Sequence, residues 1–89
     1  MIHELKIDFT HFADWKAGIK RDELRLNDRA FKVGDTLHLR EWGCLRGYTG
    51  HGLTTEVLGV LSQHAGLGSD YVLLYCSEPK AWDVPWDGT

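Results

Sequence analysis

The sequence predicts an α+β fold that is mainly β: a small barrel of about five strands capped by one N-terminal helix. Short segments of alternating apolar and polar residues recur along the chain, with Gly, Asn and Asp between them. Residues 10–17 have helical spacing, and no sustained second helix follows. Several short strands at close intervals, together with one helix, are typical of a small helix-capped barrel.

The first two elements lie near the N-terminus. The alternation around Leu5 predicts a short, half-buried strand. Asp8 or Thr10 can then cap a helix over residues 10–17, and Gly18 ends it. We expect the aromatic side chains of this helix to enter the core rather than to contact a cofactor.

Residues 20–26 predict a strand in which charged and apolar side chains lie on opposite faces. Leu24 and Leu26 are expected to enter the core, which leaves Glu23 and Arg25 on the polar face. That polar face has two interpretations. It is either a solvated surface with an ion pair or a rigid carboxylate–guanidinium pair that meets a hydrogen-bonding ligand.

Residues 36–42 predict the next strand, with Leu37 and Leu39 facing inward and Arg40 and Trp42 facing outward. An outward Trp beside an Arg is an unusual use of apolar surface. It either stacks a nucleobase or packs under the C-terminal tail, and the pattern does not decide between the two.

A Gly-rich segment over residues 43–52 follows, with four glycines in ten residues. Its spacing matches neither a dinucleotide fingerprint nor a P-loop. Arg46 and Tyr48 offer a cation, a hydroxyl and a stacking face for a ligand. A plain hairpin loop is the competing interpretation.

Residues 53–61 and 71–76 predict the last two strands, and Gly59 predicts a bulge in the first of them. The tail over residues 79–89 carries Trp82 and Trp86. This tail is expected either to pack as a flap or to be disordered.

Length and composition predict one domain, over residues 1–78, followed by the tail. The chain has 89 residues, 43% of them apolar and 26% charged, which is typical of a small globular domain. No apolar run approaches the roughly 20 residues of a membrane span, and no signal-peptide pattern is present. We expect a cytoplasmic protein without a membrane partner.

The net charge of −3 conceals an uneven distribution. Residues 16–46 hold eight of the ten basic side chains and carry a local charge of +3. Such a patch on an acidic protein suits a small anionic ligand or a few phosphates of a single strand. It does not suit long duplexes, which require many phosphate contacts.

Cysteine and histidine usage predicts neither a metal site nor a cofactor. Cys44 and Cys76 are too few and too far apart for a disulfide scaffold or a Cys-x-x-Cys site. The five histidines show no metal-ligand spacing.

The spacing of Gly18, Lys20, Glu23 and Arg25, Gly-x-Lys-x-x-Glu-x-Arg, resembles the signature of ASCH domains, a branch of the PUA-like superfamily. An ordered set of further short matches extends the resemblance over residues 2–76 and leaves the tail uncovered. The longer set is similar to small phage and bacterial ASCH-like proteins of uncharacterised function.

The resemblance implies a PUA-like barrel whose cleft carries the signature residues and binds RNA, modified nucleobases or nucleosides. Some relatives are enzymes, among them one that cleaves single-stranded RNA. Others remove acetyl groups from acetylated cytidine, using the signature Lys and a Thr where this chain has Glu23. A carboxylate cannot take over the acyl-transfer role of that hydroxyl. Water activation by Glu23 beside Lys20 stays open.

Three hypotheses of function follow. The leading one is a module that binds RNA, single-stranded nucleic acid or a nucleoside. Glu23 would accept a hydrogen bond from the base, cations would meet carbonyl or phosphate oxygens, and an aromatic ring would stack. Its predicted site comprises Lys20, Glu23 and Arg25, with Arg40, Trp42, Arg46 and Tyr48 at the mouth.

The first alternative is a hydrolase acting on a modified nucleoside or RNA, with Lys20 and Glu23 as the working pair. The second is a phage-type protein that binds and modulates a host protein through its acidic surface and its Trp-bearing tail. The sequence leaves the ligand and the oligomeric state open.

Overall fold

A computed structural model describes residues 1–62 and 70–82 and gives a small, mainly β domain with one short helix. The elements in chain order are β1 (Ile2–Asp8), α1 (Phe9–Lys16), β2 (Asp22–Leu26), β3 (Thr36–Gly43), β4 (Gly47–Ser62), β5 (Tyr71–Cys76) and β6 (Lys80–Trp82). Within the described ranges, no helix has the length and apolar character needed to cross a membrane.

The strands form one sheet in the order β1-β3-β4-β5-β2, with β6 added to β4. β1 and β3 are parallel, and the other pairs are antiparallel. The 16-residue β4 takes part in two wings of this sheet. Its first part pairs with β3 and β6 to form, together with β1, the first wing. Its last residues pair with β5 to form, together with β2, the second wing.

Strand pairing among the described residues ends at β1 on one side and at β2 on the other. The predicted barrel is therefore not closed by backbone hydrogen bonds. Arginine side chains bridge the opening instead. Arg25 Nη2 donates to the Lys6 carbonyl at 2.8 Å, and Arg29 Nη1 donates to the Glu4 carbonyl at 2.7 Å. These bonds satisfy acceptors on the β1 edge that a neighbouring strand would otherwise use.

The core lies between the wings and under α1. Alternation places every second residue of β1 inward, as predicted around Leu5. α1 begins after the Asp8 cap, whose carboxylate accepts from the Thr10 amide at 3.0 Å. The helix adds two buried aromatic rings to the core, whereas Phe9 remains half exposed. The buried apolar side chains are Leu5, Ile7, Phe12, Trp15, Phe31, Leu37, Leu39, Leu53, Val57, Val72, Leu74 and Cys76.

The orientation of β2 is the reverse of the predicted one. Leu24 and Leu26 are 49% and 47% exposed, whereas Glu23 is 8% exposed. The register explains the difference, because Glu23 pairs with the fully buried Leu74 and so faces the same way. β2 ends the sheet beside the opening, so its inward side chains can reach β1, as Arg25 does.

The β3–β4 connection is shorter than the predicted Gly-rich loop. β4 begins at Gly47, and only residues 44–46 form the turn. Gly47 adopts φ +72°, which favours glycine. This segment is therefore a hairpin, and the ligand contacts predicted for Arg46 and Tyr48 stay a prediction. The predicted bulge is confirmed by a register shift between Val57 and Gly59.

Part of the C-terminal tail joins the sheet. β6 pairs with β4, and the Trp82 indole lies on the backbone of Gly52, where any Cβ would clash with the ring. Trp82 Nε1 also donates to Thr54 Oγ1 at 3.1 Å. Trp86 and most of the predicted 62–70 loop lie outside the described residues.

Candidate functional site

Three of the signature residues, together with Asp22, form two ion pairs at β2. Lys20 Nζ donates to Asp22 Oδ1 at 3.3 Å, and Arg25 Nε donates to Glu23 Oε2 at 2.8 Å. Each pair joins residues two apart, which share a face of an extended chain. No hydrogen bond or ion pair within the described part of the chain joins Lys20 to Glu23. The Lys20–Glu23 working pair therefore stays a prediction.

Glu23 lies beside the buried end of β5. Burial first, and then the nearby charges of Glu23 and Asp22, raise the pKa of the Cys76 thiol to about 12, against an opposite effect of Lys20. A thiol with such a pKa stays protonated at neutral pH and is a poor nucleophile. Cys76 is therefore a core residue, and the Glu23 carboxylate accepts a hydrogen bond from Arg25.

Four cations converge on β1, and we call them the β1 cationic strip: Lys6, Arg25, Arg29 and Arg40. Arg25 and Arg29 bind carbonyls two residues apart on one strand, a separation of about 7 Å. Arg40 Nη1 lies 3.3 Å from Glu4 Oε1 on the outer face of the same strand. The parallel β1–β3 register aligns Arg40 with Lys6.

A small cavity opens beside the strip at the gap between β1 and β2. Its volume is about 100 Å³, and its lining includes both Arg25 and Arg29 together with Asp28. A guanidinium has five N–H donors. The two hydrogen bonds of Arg25 and the one of Arg29 therefore leave donors for a bound anion.

Two aromatic rings extend the strip across the outer face of the first wing. Trp42 and Tyr48 are register partners on β3 and β4. The Lys6 ammonium lies 4.4 Å from the centre of the Trp42 ring, and the Arg40 guanidinium lies 3.8 Å from the centre of the Tyr48 ring. Cations held over aromatic rings are a recurrent part of surfaces that stack nucleobases.

The structure divides the seven predicted site residues. Arg40, Trp42 and Tyr48 share the outer face of the first wing, and Arg25 reaches the same strand from β2. Arg46 lies in the exposed hairpin turn and lines a separate cavity of about 360 Å³. Lys20 and Glu23 lie at or before the start of β2.

The sequence predicted no site role for Lys6 or for Arg29. Alternation along β1 places Lys6 outward, a signal that was available. Its pairing with Trp42 depends on the β1–β3 register, which joins strands far apart in the chain. No group of three metal-ligating side chains occurs within residues 1–62 and 70–82.

Comparison with known proteins assigns the chain to a family. A family model described as a domain of unknown function, DUF3850, matches residues 2–76. The chain belongs to the DUF3850 family. The matched segment covers β1 to β5 and α1, and so includes the β1 cationic strip and both rings. The resemblance of the signature to ASCH domains stays a prediction.

A phage protein is similar over most of the chain. The chain is 39% identical over 75 residues to the "Uncharacterized 12.9 kDa protein in GpA 3'region" of Escherichia phage P2. The match covers 83% of this chain and 66% of that protein, slightly less than two thirds of its length.

Proposed function

We propose that this DUF3850 domain binds single-stranded nucleic acid, or a nucleoside or nucleotide derived from it, on the β1 cationic strip and the adjoining Trp42 and Tyr48 rings. The observation that carries the proposal is the convergence of four cations and two aromatic rings around one strand. Stacking surfaces and cations together are what a flexible, charged, base-bearing strand requires.

Phosphate binding would centre on Arg25 and Arg29, where the small cavity between β1 and β2 lies. Charge-assisted hydrogen bonds from guanidinium to phosphate are short and directional. Glu23 acts here as a positioning residue, since its carboxylate fixes the Arg25 guanidinium. This differs from the direct base contact that the sequence predicted for Glu23.

Base recognition would use the outer face of the first wing. A base can stack on an aromatic ring, and Tyr48 offers such a ring beside the Arg40 guanidinium. Tyr48 is 48% exposed, so a ligand can reach it. Stacking contributes about 1–3 kcal/mol per base.

We expect weak, salt-sensitive binding. Three carboxylates, Glu4, Glu23 and Asp28, lie within 4.0 Å of the three arginines and offset part of their charge. For a single strand, the slope of log K against log salt changes by about 0.7 for each phosphate neutralised. A site with a few such contacts gives a shallow slope.

The test is a titration of short single-stranded RNA, single-stranded DNA and free nucleosides, followed by Trp fluorescence at several salt concentrations. Arg29→Ala should weaken binding of the strands and make the salt slope shallower by about 0.7. Lys32→Ala is the matched control, because Lys32 is an exposed cation outside the strip. Absence of binding by the wild type at low salt, or equal losses in the two variants, would overturn the proposal.

In the same terms we propose that the opening between β1 and β2 is a variation on a PUA-like barrel, in which arginine side chains replace the closing strand pair. The ASCH-like spacing of Lys20, Glu23 and Arg25 supports this assignment. The hydrolase alternative stays a prediction, and mass spectrometry of the nucleoside and RNA samples after incubation tests it.

A further inference from the structure

The outer face of the second wing is apolar and exposed. Register places Leu24, Leu73 and Leu61 in one row across β2, β5 and β4, all facing away from the buried row of Glu23 and Leu74. Because strand neighbours in register share a face, these rows form one continuous surface. We call it the leucine–tyrosine face, comprising Leu24, Leu26, Leu61, Tyr71, Leu73 and Tyr75.

The exposure of this face is large for so short a chain. Leu24 and Leu26 are close to half exposed, and Tyr71 and Tyr75 are 44% and 47% exposed. Scattered exposed apolar residues are ordinary, but contiguous apolar surface bounded by charge marks an interaction site. Among the described residues no cation lies over these rings, unlike those of the first wing.

The two ends of the face carry opposite charge. Beside the Asp22 end of β2 lie the cations Lys20 and Arg21. Asp22 pairs with Lys20 at 3.3 Å and offsets its charge, whereas Arg21 is exposed with no ion-pair partner among the described residues. At the opposite end, Leu26, Asn27, Asp28 and Asp70 line a cavity of about 310 Å³. That cavity adjoins the face through Leu26 and presents two carboxylates. Asp28 lies 4.0 Å from Arg29, so Asp70 is the carboxylate on which the charge of this end depends.

We propose that the leucine–tyrosine face binds a second copy of this chain and forms a symmetric dimer. The two-fold axis would lie between the stacked sheets and run across the strands. The basic end of each copy then lies over the acidic end of the other, and Arg21 approaches the cavity that Asp70 lines. Such self-complementarity is the requirement for an isologous interface.

A second copy fits this surface better than an unrelated protein for a reason of charge. The face is neutral at its centre, and its two ends complement each other under one rotation, so no external partner is needed to satisfy them. The area is modest, because three strands about 4.8 Å apart and about 20 Å long make a small patch. Stable interfaces bury roughly 800 Å² per partner, so we expect a reversible, concentration-dependent dimer.

The test is sedimentation velocity of the full chain over a wide concentration range. Leu24→Asp should abolish the dimer, and Leu45→Asp should not, because Leu45 is an exposed leucine of the β3–β4 turn outside the face. Circular dichroism checks the fold of both variants. Tyr75→Asp replaces Leu24→Asp if the latter fails to fold.

Charge reversal provides the sharper test. Arg21→Asp and Asp70→Lys should each weaken self-association, because each variant opposes like charges twice in its own dimer. Mixing the two variants should restore dimers, since every contact in the mixed dimer again pairs opposite charges. A chain that stays monomeric at all concentrations would overturn the proposal. So would a dimer that survives Leu24→Asp, or two charge variants that fail to rescue each other.

Discussion

The two outer faces of this sheet are built by the same alternation of strand residues but expose different chemistry. On the first wing, Trp42 and Tyr48 each lie under a cation. On the second wing, Tyr71 and Tyr75 lie among leucines, and no cation of residues 1–62 or 70–82 lies over them. Exposed aromatic rings therefore do not predict a ligand by themselves. Their neighbours decide whether a surface suits a charged, base-bearing ligand or an apolar partner.

The physical reason lies in desolvation. A cation over a ring adds about 0.5–2 kcal/mol of attraction and keeps the surface hydrated, which favours polar ligands that bring phosphates. Leucines around a ring provide surface that gains free energy only when water leaves, at about 25 cal/mol per Å². Ligand binding on the first wing should therefore depend on salt concentration, and self-association through the second wing should depend on protein concentration.

The largest expected effect is the difference in stability loss between a leucine on the inner side of the second wing and one on its outer face. Leu74→Ala should lower the free energy of unfolding by about 2–5 kcal/mol, because Leu74 is fully buried. Leu24→Ala should cost less than about 1 kcal/mol in dilute solution, because its side chain is 49% exposed. Urea unfolding of both variants gives the comparison. Equal losses would mean that the leucines of β2 face the core in solution.

The next effect compares RNA binding and self-association in two variants, each of which removes one tyrosine of similar exposure from one of the two faces. Tyr48 and Tyr75 are 48% and 47% exposed. Tyr48→Ala should weaken binding of a short RNA about tenfold, in line with the loss of one stacking contact, and leave sedimentation unchanged. Tyr75→Ala should weaken self-association and leave RNA binding unchanged. If either variant altered both properties, the two faces would not act independently.

The smallest effect concerns a buried network that belongs to neither face. His3 Nε2 lies 2.8 Å from Asp35 Oδ2, and the Lys32 amide donates to the same oxygen at 3.0 Å. These bonds, that of His3 first, lower the pKa of Asp35 from 3.8 to about 2. Because the folded pKa is depressed, the stabilisation is present above about pH 3.8 and is lost as pH falls towards 2.

Asp35→Asn should therefore lower stability at neutral pH and reduce its dependence on pH between 3.8 and about 2. Thermal unfolding of both proteins across this range measures the effect, and Asp14→Asn serves as a control at an exposed carboxylate. Coincident curves for the wild type and Asp35→Asn would show that the network does not stabilise the fold.

Much of the fold followed from local pattern. The bounds of β5 match the predicted 71–76 segment, and α1 begins one residue before the predicted start. The bulge at Gly59 and the outward position of Trp42 also followed from residue type and alternation. β6 was missed because pairing with β4, which is distant in the chain, stabilises it. The early start of β4 was missed because its glycines are typical of a loop, although this segment pairs with the adjacent β3.

The candidate site was predictable only in pieces. Arg40, Trp42 and Tyr48 lie on adjacent strands of one hairpin, so local alternation brought them together. Lys6 and Arg29 join them through a parallel strand pair and a contact across the opening of the sheet. No spacing along the chain encodes either contact.

The sequence alone determined that β2 alternates between charge and leucine, because a period of two is a property of any extended strand. Only the tertiary structure decided which set faces inward. β2 ends the sheet opposite the edge of β1 where the Lys6 carbonyl accepts from Arg25. Arg25 and its partner Glu23 therefore turn inward, and the leucines turn to the surface. The inward set depends on which strands lie beside β2, and the sequence of a single strand does not specify its neighbours.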